Sequence, residues 1–248
     1  AWCFVFPPLS GGKNLSNVSI MSEITAHGIM TGIEKECLEL ASQDEFAMKW
    51  FKIAQGTPPV HGEDAVLTEN YPHTAGTPQL IEKEDGNVDF HELNWVIKIN
   101  NGDEICSFTH ATKGVDGKDV FGRVIKAKIG KDVRLPDGIN TVVKKEEGRI
   151  LSLADGMLSY KNGKFHVSEL LEIRGDVATA TGNIDAHCDV LIQGNILSGY
   201  TVKSLGNIIV KGMVDRSTVI AGKDVYIAYG MAGGGTGTLD AGGTVRCK

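Results

Sequence analysis

The chain has 248 residues, a net charge of −6 and 31 glycines. Most of the negative charge lies near the start, since residues 1–80 carry nine acidic and four basic side chains. This composition argues against a nucleic-acid-binding protein, which needs clustered positive charge to displace counterions. No run of eighteen apolar residues occurs, so we expect no membrane span.

The cysteines are odd in number, far apart and never spaced as CxxC. They predict neither a disulfide framework nor a zinc cluster, and they favour a reducing, cytoplasmic compartment. The apolar opening segment is too short for a signal peptide and lacks a basic flank. Because the chain does not begin with Met and ends inside a repeat, we expect a fragment of a longer protein. The five cysteines are Cys3, Cys37, Cys106, Cys188 and Cys247.

Residues 1–80 are predicted to form an α+β region. A short helix is expected over residues 16–27, with Gly28 as its stop. A second helix should follow, because Thr31 and Glu34 have the spacing of a capping box. Its predicted apolar stripe consists of Ile33, Cys37, Leu40 and Ala41.

The two helices are not expected to form a DNA-binding helix-turn-helix. The second helix carries three glutamates and a single lysine, so it would repel phosphates. A strand is predicted over residues 50–54, followed by a stiff proline-containing loop over residues 56–65. A further loop over residues 71–78 leads to a boundary near Leu80.

Residues 81–168 show short strand patterns separated by tight turns, which predict a small antiparallel β-barrel or sandwich. Hairpins are expected at residues 84–87, 115–118 and 161–164, where Asp-Gly or Asn-Gly pairs occur. The strands expected in this region cover residues 95–99, 104–108, 123–129 and 141–144.

Residues 169–248 repeat every six residues, and three steps make one longer unit. This spacing, with Gly-Asn pairs between short β-branched segments, predicts a parallel β-solenoid. Because the steps are uneven, and because parallel crossovers are strongly biased in hand, we predict right-handed coils. The expected core stack consists of Ile184, Val190, Ile196, Val202, Ile208, Val214, Val219 and Val225.

The most suggestive binding motif is the glycine-rich segment 230–237. Backbone N–H groups of Gly233, Gly234, Gly235 and Thr236 could cradle a phosphate. The segment lacks the lysine of a P-loop and no helical pattern follows it. A lengthened solenoid corner is therefore the preferred interpretation.

The sequence supports a metal site or a catalytic site less than it supports the phosphate cradle. His61, Glu63 and Asp64 share one loop, but the preceding prolines favour a rigid packing role, so we predict no metal and no cofactor. A basic stretch over residues 118–134 is interrupted by aspartates and is interpreted as a solvated face. No nucleophile elbow or Cys–His pair is visible, so no catalytic residue is assigned.

Several segments, in order along nearly the whole chain, resemble the FapA family of flagellar assembly protein A. No single segment is specific, whereas their order and spacing are. These segments are HGIMTGI (27–33), IAQGTPPVHGEDA (53–65), GDEI (102–105), GKDVFG (117–122), LPDGIN (135–140), ADG (154–156), GDV (175–177) and TGNI (181–184).

The resemblance implies an N-terminal α+β region, a β-solenoid and, beyond it, a helical C-terminal segment that is missing here. It also implies a role in polar flagellar assembly and binding to a glucose-specific phosphotransferase protein. It supplies no catalytic residues.

We therefore predict a mainly β protein, with a right-handed parallel β-solenoid preceded by an antiparallel barrel-like region (81–168) and an α+β region (1–80). The expected function is that of a non-enzymatic cytoplasmic scaffold or adaptor, located at the cell pole by the resemblance, that binds a protein. The alternative is a binding or enzymatic module holding a small anionic sugar or nucleotide between barrel and solenoid. A homodimer through the last coil, near Val245, is also expected.

Overall fold

The computed structural model describes residues 1–10, 12, 15–42, 48–79 and 90–248. The expected boundary near Leu80 and the hairpin at 84–87 lie outside the described residues. Contacts cluster into two compact units, Ala1–Val66 with His110–Val133 and Leu67–Thr109 with Arg134–Lys248. The division into residues 1–80, 81–168 and 169–248 stays our proposal for the organisation of the sequence.

In its described residues, the first unit combines two helices with two small antiparallel sheets. Apolar side chains from the helices and from one sheet form its core, including Val5, Ile20, Ile24 and Ile53. The elements are β1 (Trp2–Phe4), α1 (Asn17–Ala26), α2 (Lys35–Ala41), β2 (Trp50–Lys52), β6 (Gly117–Lys118) and β7 (Val124–Ile125), with β1 paired to β2 and β6 to β7.

Helix α1 agrees with its prediction. Ser16 is the N-cap, and its hydroxyl accepts a hydrogen bond from the Ser19 N–H at 3.2 Å, which satisfies a free donor of the first turn. The helix ends before Gly28, as expected.

Helix α2 departs from its prediction. Its N-cap is Glu34, which makes no side-chain cap, so the capping box is wrong. Thr31 instead donates its hydroxyl to the backbone oxygen of Asp119 at 2.6 Å. The buried leucine is Leu38 rather than Leu40, which is 39% exposed, so the predicted stripe is wrong at Leu40.

The hairpin predicted at residues 115–118 is also wrong. Gly117 and Lys118 form strand β6, and the turn lies after them, where Asp119 accepts hydrogen bonds from the backbone N–H groups of Phe121 and Arg123. The strand predicted over residues 123–129 is shorter than expected and covers only Val124–Ile125.

The second unit begins with two antiparallel sheets whose strand orders are β3-β5-β9-β8 and β11-β10-β4. The Asn162-Gly163 hairpin between β10 and β11 is confirmed, and both residues have the positive φ that a tight two-residue turn requires. Ile99, Leu158 and Phe165 are fully buried in this core. The strands are β3 (Val66–Glu69), β4 (Ile97–Ile99), β5 (Glu104–Thr109), β8 (Thr141–Lys144), β9 (Arg149–Ser152), β10 (Gly156–Lys161) and β11 (Lys164–Ser168).

The parallel β-solenoid follows, with about four turns over residues 170–247. Three sheets line its sides, with strand orders β12-β14-β16-β19-β22, β13-β15-β18-β21 and β17-β20. The strands are β12 (Leu170–Ile173), β13 (Ile184–Ala186), β14 (Asp189–Ile192), β15 (Thr201–Ser204), β16 (Ile208–Val210), β17 (Val214–Asp215), β18 (Thr218–Ala221), β19 (Val225–Ile227), β20 (Met231–Ala232), β21 (Thr238–Ala241) and β22 (Val245–Cys247). The mainly β class is thus confirmed, with antiparallel sheets before a parallel solenoid, while the right-handed sense stays a prediction.

The solenoid core consists of rows of aliphatic side chains, one from each coil. Val190 pairs with Ile208, which pairs with Val225, and all three are at most 1% exposed. Ile184, Val202 and Val219 form a second such row, and Ile196 and Val214 pair in a third. Such rows exclude water from the axis, and burial of their apolar area stabilises the solenoid.

A ladder of polar side chains satisfies the backbone at one corner. The Asp189 carboxylate accepts a hydrogen bond from the Asn207 N–H in the next coil at 2.8 Å. The Asn207 side-chain oxygen accepts from the Asp224 N–H at 3.2 Å, and the Asp224 carboxylate accepts from the Thr244 N–H at 2.7 Å. A Cβ on Gly206 would lie 2.2 Å from the Asp189 carboxylate, which explains why glycine precedes asparagine there.

Candidate functional site

The sheet formed by β1 and β2 has apolar side chains on both of its faces. Cys3 and Phe51 point towards the core, as alternation along a strand requires. The opposite face carries Trp2, Phe4 and Trp50, and Phe6 continues it. We call these four residues, Trp2, Phe4, Phe6 and Trp50, the aromatic face.

The aromatic face is strongly exposed. Trp2 is 64% exposed, Trp50 67% and Phe6 70%. The Phe4 ring lies 5.0 Å from the Phe6 ring and 5.1 Å from the Trp50 ring, so the side chains already pack against one another. Clustered exposed aromatic residues are typical of protein-binding sites, where tryptophan is enriched among the residues that dominate affinity.

Charged groups border the aromatic face. Lys52 lies 3.2 Å from the Glu34 carboxylate. Hydrogen bonds from the Cys37 thiol and from Lys52 hold the pKa of Glu34 below its usual range, whereas the hydrogen bond to Glu34 raises the pKa of Cys37. This border is therefore an ion pair beside a neutral thiol at physiological pH, as expected at the polar rim of an interface.

Sequence reasoning did not single out the aromatic face. Its signal was present, because the opening segment has apolar residues at every position from Trp2 to Phe6, leaving no polar side for solvent. The segment Trp50-Phe51 repeats the feature in the partner strand.

A polar groove of about 460 Å³ lies in the second unit, between strand β4 and the solenoid. Across it, Lys98 pairs with Asp185 at 2.8 Å, and the Asn183 amide donates to Glu92 at 3.1 Å. Most of the charged groups in the groove therefore already form an ion pair or a hydrogen bond. Lys203 lines the same groove, and among the residues that the structure describes we find no hydrogen-bond or ion-pair partner for it.

The glycine-rich segment forms the widest corner of the solenoid. Val219 pairs with Leu239, so this coil takes 20 residues where the coil before it, from Val202, takes 17. The N–H groups of Thr236 and Gly237 both donate to the Gly233 oxygen, which uses the Thr236 donor, one of the four that the predicted cradle would offer to a phosphate.

Arg216 lies beside the same corner. Gly234 and Gly235 adopt positive φ, and the Arg216 side chain packs beside Gly234. Arg216 also lies 3.3 Å from Asp215, so its charge is partly compensated. A phosphate cradle formed by Gly233, Gly234, Gly235 and Thr236 stays a hypothesis.

The His61 loop is held by backbone contacts. The His61 ring accepts a hydrogen bond from the Lys128 N–H at 3.1 Å, and the Asp64 carboxylate accepts from the Lys131 N–H at 2.6 Å. The Glu63 N–H donates to the Thr112 hydroxyl. Within the described part of the chain, no three His, Cys, Asp or Glu side chains are grouped as metal ligands would be.

Two basic side chains of the stretch over residues 118–134 form ion pairs with neighbouring aspartates. Lys126 lies 2.6 Å from Asp116, and Arg123 lies 2.6 Å from Asp119. Hydrogen bonds from Lys126 and from the Ala127 N–H lower the pKa of Asp116. Burial opposes ionisation of Asp119, but bonds from Arg123 outweigh it and lower that pKa as well. Within each of these two pairs, the positive and the negative charge largely cancel.

The buried thiols are poor nucleophiles. Desolvation raises the pKa of Cys106 to about 12 and that of Cys188 to about 11. A cysteine nucleophile needs the opposite shift, since the thiolate is the reactive form.

Comparison with known proteins gives two family matches and no individual relative. The family described as Flagellar Assembly Protein A N-terminal region matches residues 2–163, and the Flagellar Assembly Protein A beta solenoid domain matches residues 169–248. Searches of curated proteins and of solved structures found no match. Of the helices described, none has the length and apolar character to cross a membrane. Because the two matches together cover almost the whole chain, it belongs to the Flagellar Assembly Protein A family.

Proposed function

We propose that this chain is a non-enzymatic scaffold or adaptor that binds a protein partner through the aromatic face. Family membership indicates a role related to flagellar assembly. The observation that carries the proposal is the outward cluster of Trp2, Phe6 and Trp50, each more than 60% exposed. Burying such rings against a partner removes a large apolar area from water, which is the main driving force of association.

The sheet that carries the aromatic face is held in place by the core, which supports a role as a scaffold. The aromatic side chains stand on a paired sheet whose inner side is anchored by Val5 and Ile53 in the core. A face that is already ordered loses little conformational entropy on binding, so more of the contact energy appears as affinity.

The partner to test is the glucose-specific phosphotransferase protein that the family resemblance implies. Titration calorimetry should show binding to the wild-type chain, and Trp50→Ser should weaken it by about tenfold or more, as expected for a central tryptophan. Tyr229→Ser is the matched control, since Tyr229 is 72% exposed but belongs to the solenoid. Equal affinities for all three chains would contradict the role of the face, whereas no binding to the wild type would contradict this partner.

We further propose that the protein acts in the cytoplasm, at the cell pole, where flagellar assembly would require it. A fluorescent fusion in a polarly flagellated cell should concentrate at the pole. A uniform distribution would contradict the polar location.

The alternative, a module for a small anionic sugar or nucleotide, is favoured by one observation. Lys203 lines the polar groove together with Lys98, and within the described residues its ammonium group has no hydrogen-bond or ion-pair partner. If the alternative is right, AMP or glucose 6-phosphate should bind, and Lys203→Ala should abolish binding. The scaffold proposal expects neither ligand to bind, because the other charged groups of the groove already pair.

A further inference from the structure

The largest parallel sheet of the solenoid has an apolar row on its outer surface. Strands β14, β16 and β19 place Leu191, Ile209 and Tyr226 side by side, in register. Each is partly exposed, whereas the residues before and after it point into the core and are buried. The row is flanked at its ends by Glu172 and Arg246. We call Leu191, Ile209 and Tyr226, with the residues that border them, the solenoid face.

The two long edges of the solenoid face carry opposite charges. Because all the strands are parallel, their starts share one edge, which holds Asp189 at the start of β14 and Asn207 and Asp224 just before β16 and β19. The residues just after the strands share the other edge, where Arg174 and Lys211 are exposed. Lys211 leans over the Tyr226 ring, 5.9 Å from its centre.

The two long edges are complementary to each other, although at the ends of the row Glu172 and Arg246 of one copy would meet Glu172 and Arg246 of the other in a parallel pair. A two-fold axis parallel to the solenoid axis brings the acidic edge of one copy against the basic edge of the other and stacks the apolar rows. A two-fold axis along the strands would instead bring like-charged edges together, which costs energy. We propose that the solenoid face binds a second copy of this chain, with the two solenoids side by side and pointing in the same direction.

The proposed geometry is specific. Ile209 of one copy meets Ile209 of the other on the axis. Lys211 then lies opposite Asn207 of the second copy, with that copy's Asp189 and Asp224 one coil to either side. The contact uses the outer surface of the sheet rather than the open end of the last coil at Val245, for which self-association stays a separate prediction.

The size of the face sets the strength of the contact. Five strands spaced about 4.8 Å apart and four residues long cover roughly 300 Å². Stable dimers bury about 800 Å² on each partner, so the expected dimer is weak and reversible. Because its charged edges are exposed to solvent, added salt should weaken it further.

Sedimentation velocity over a range of chain concentrations tests the proposal. The wild type should shift from monomer to dimer as concentration rises, and Ile209→Lys should raise the dissociation constant by about tenfold or more. Ile220→Lys is the matched control, since Ile220 faces outward on another sheet of the same solenoid, beside Lys203 in register. A wild type that stays monomeric throughout, or a dimer that survives Ile209→Lys, would overturn the proposal.

Disulfide trapping tests the orientation. In a Cys247→Ser background, Tyr226→Cys should cross-link to itself when diamide is added as the oxidant, because Tyr226 meets Tyr226 in the parallel pair. In the opposite arrangement Tyr226 would meet Leu191, so cross-linking found only in a mixture of Tyr226→Cys and Leu191→Cys chains would refute the parallel pair.

Discussion

The corner ladder gives the sharpest test of the solenoid's architecture. Changing Gly206 to alanine would place a Cβ 2.2 Å from the Asp189 carboxylate oxygen and 2.9 Å from the Asp189 backbone nitrogen. Neither approach is sterically allowed, so the carboxylate must move. In moving, it loses the hydrogen bonds that it accepts from the backbone and the side chain of Asn207.

The size of the effect follows from these contacts. A hydrogen bond to a charged group contributes about 1.5–3 kcal/mol, and the displaced backbone adds strain. We therefore expect Gly206→Ala to lower the free energy of unfolding by at least about 2 kcal/mol. For a chain of this size that corresponds to a fall of roughly 4–8 °C in melting temperature.

Gly175→Ala is the matched control, because a Cβ there meets nothing within 4 Å. It should leave stability unchanged or raise it slightly, since alanine restricts the unfolded chain more than glycine does. Both variants can be followed by circular dichroism during thermal and urea unfolding. If Gly206→Ala and Gly175→Ala unfold at the same temperature and the same urea concentration, the ladder does not constrain the corner.

A double-mutant cycle separates the clash from the lost bond. In an Asp189→Ala background the carboxylate is already absent, so Gly206→Ala should cost less than it does in the wild type. Strictly additive effects would show that Gly206 acts through backbone crowding alone.

Three further predictions concern buried side chains. Ile208→Val should cost about 1 kcal/mol, because it removes one methylene from a fully buried row, whereas Ile208→Asp should unfold the solenoid; equal melting curves for the two variants would contradict the core assignment. Cys106 and Cys188, whose pKa values burial raises, should resist iodoacetamide at neutral pH until the chain unfolds, while exposed Cys247 reacts first; mass spectrometry showing rapid labelling of either buried thiol would refute this. Ser217→Ala should raise stability by up to about 1 kcal/mol in chemical denaturation, because no described group pairs with the buried Ser217 hydroxyl, and a clear loss would reveal a partner.

The solenoid could be predicted because its signals are local. A six-residue spacing of β-branched residues and Gly-Asn pairs suffices to identify coils, and the register of Val190, Ile208 and Val225 follows from the period. The ladder could not be predicted in the same way. It depends on Asp189 lying next to Asn207, which is 18 residues away in sequence, and only stacking of the coils creates that contact.

The first unit shows where local signals mislead. The Asp116-Gly117 pair has the sequence of a tight turn, yet a Cβ on Gly117 would lie 2.3 Å from the Thr57 oxygen. Glycine is needed there because two distant segments approach closely, not because the chain reverses. Asp116 pairs instead with Lys126, across the hairpin that β6 and β7 form. Such contacts between separated loops leave little trace in spacing or composition.

The aromatic face was missed for a different reason. The sequence shows Trp2, Phe4 and Phe6 only as part of a short apolar opening segment and Trp50 only as the start of a strand, and the pairing of Phe4 with Trp50 brings together residues far apart in sequence. The face becomes recognisable once that pairing shows which side chains lie opposite the core.

Hydrogen–deuterium exchange of the chain, with and without the glucose-specific phosphotransferase protein, tests the central claim most directly. Our account predicts slower exchange on binding in residues 2–6 and 48–52, around Trp2 and Trp50, and unchanged exchange around the groove at Lys98 and Lys203. Protection of the groove with no change at the aromatic face would contradict it.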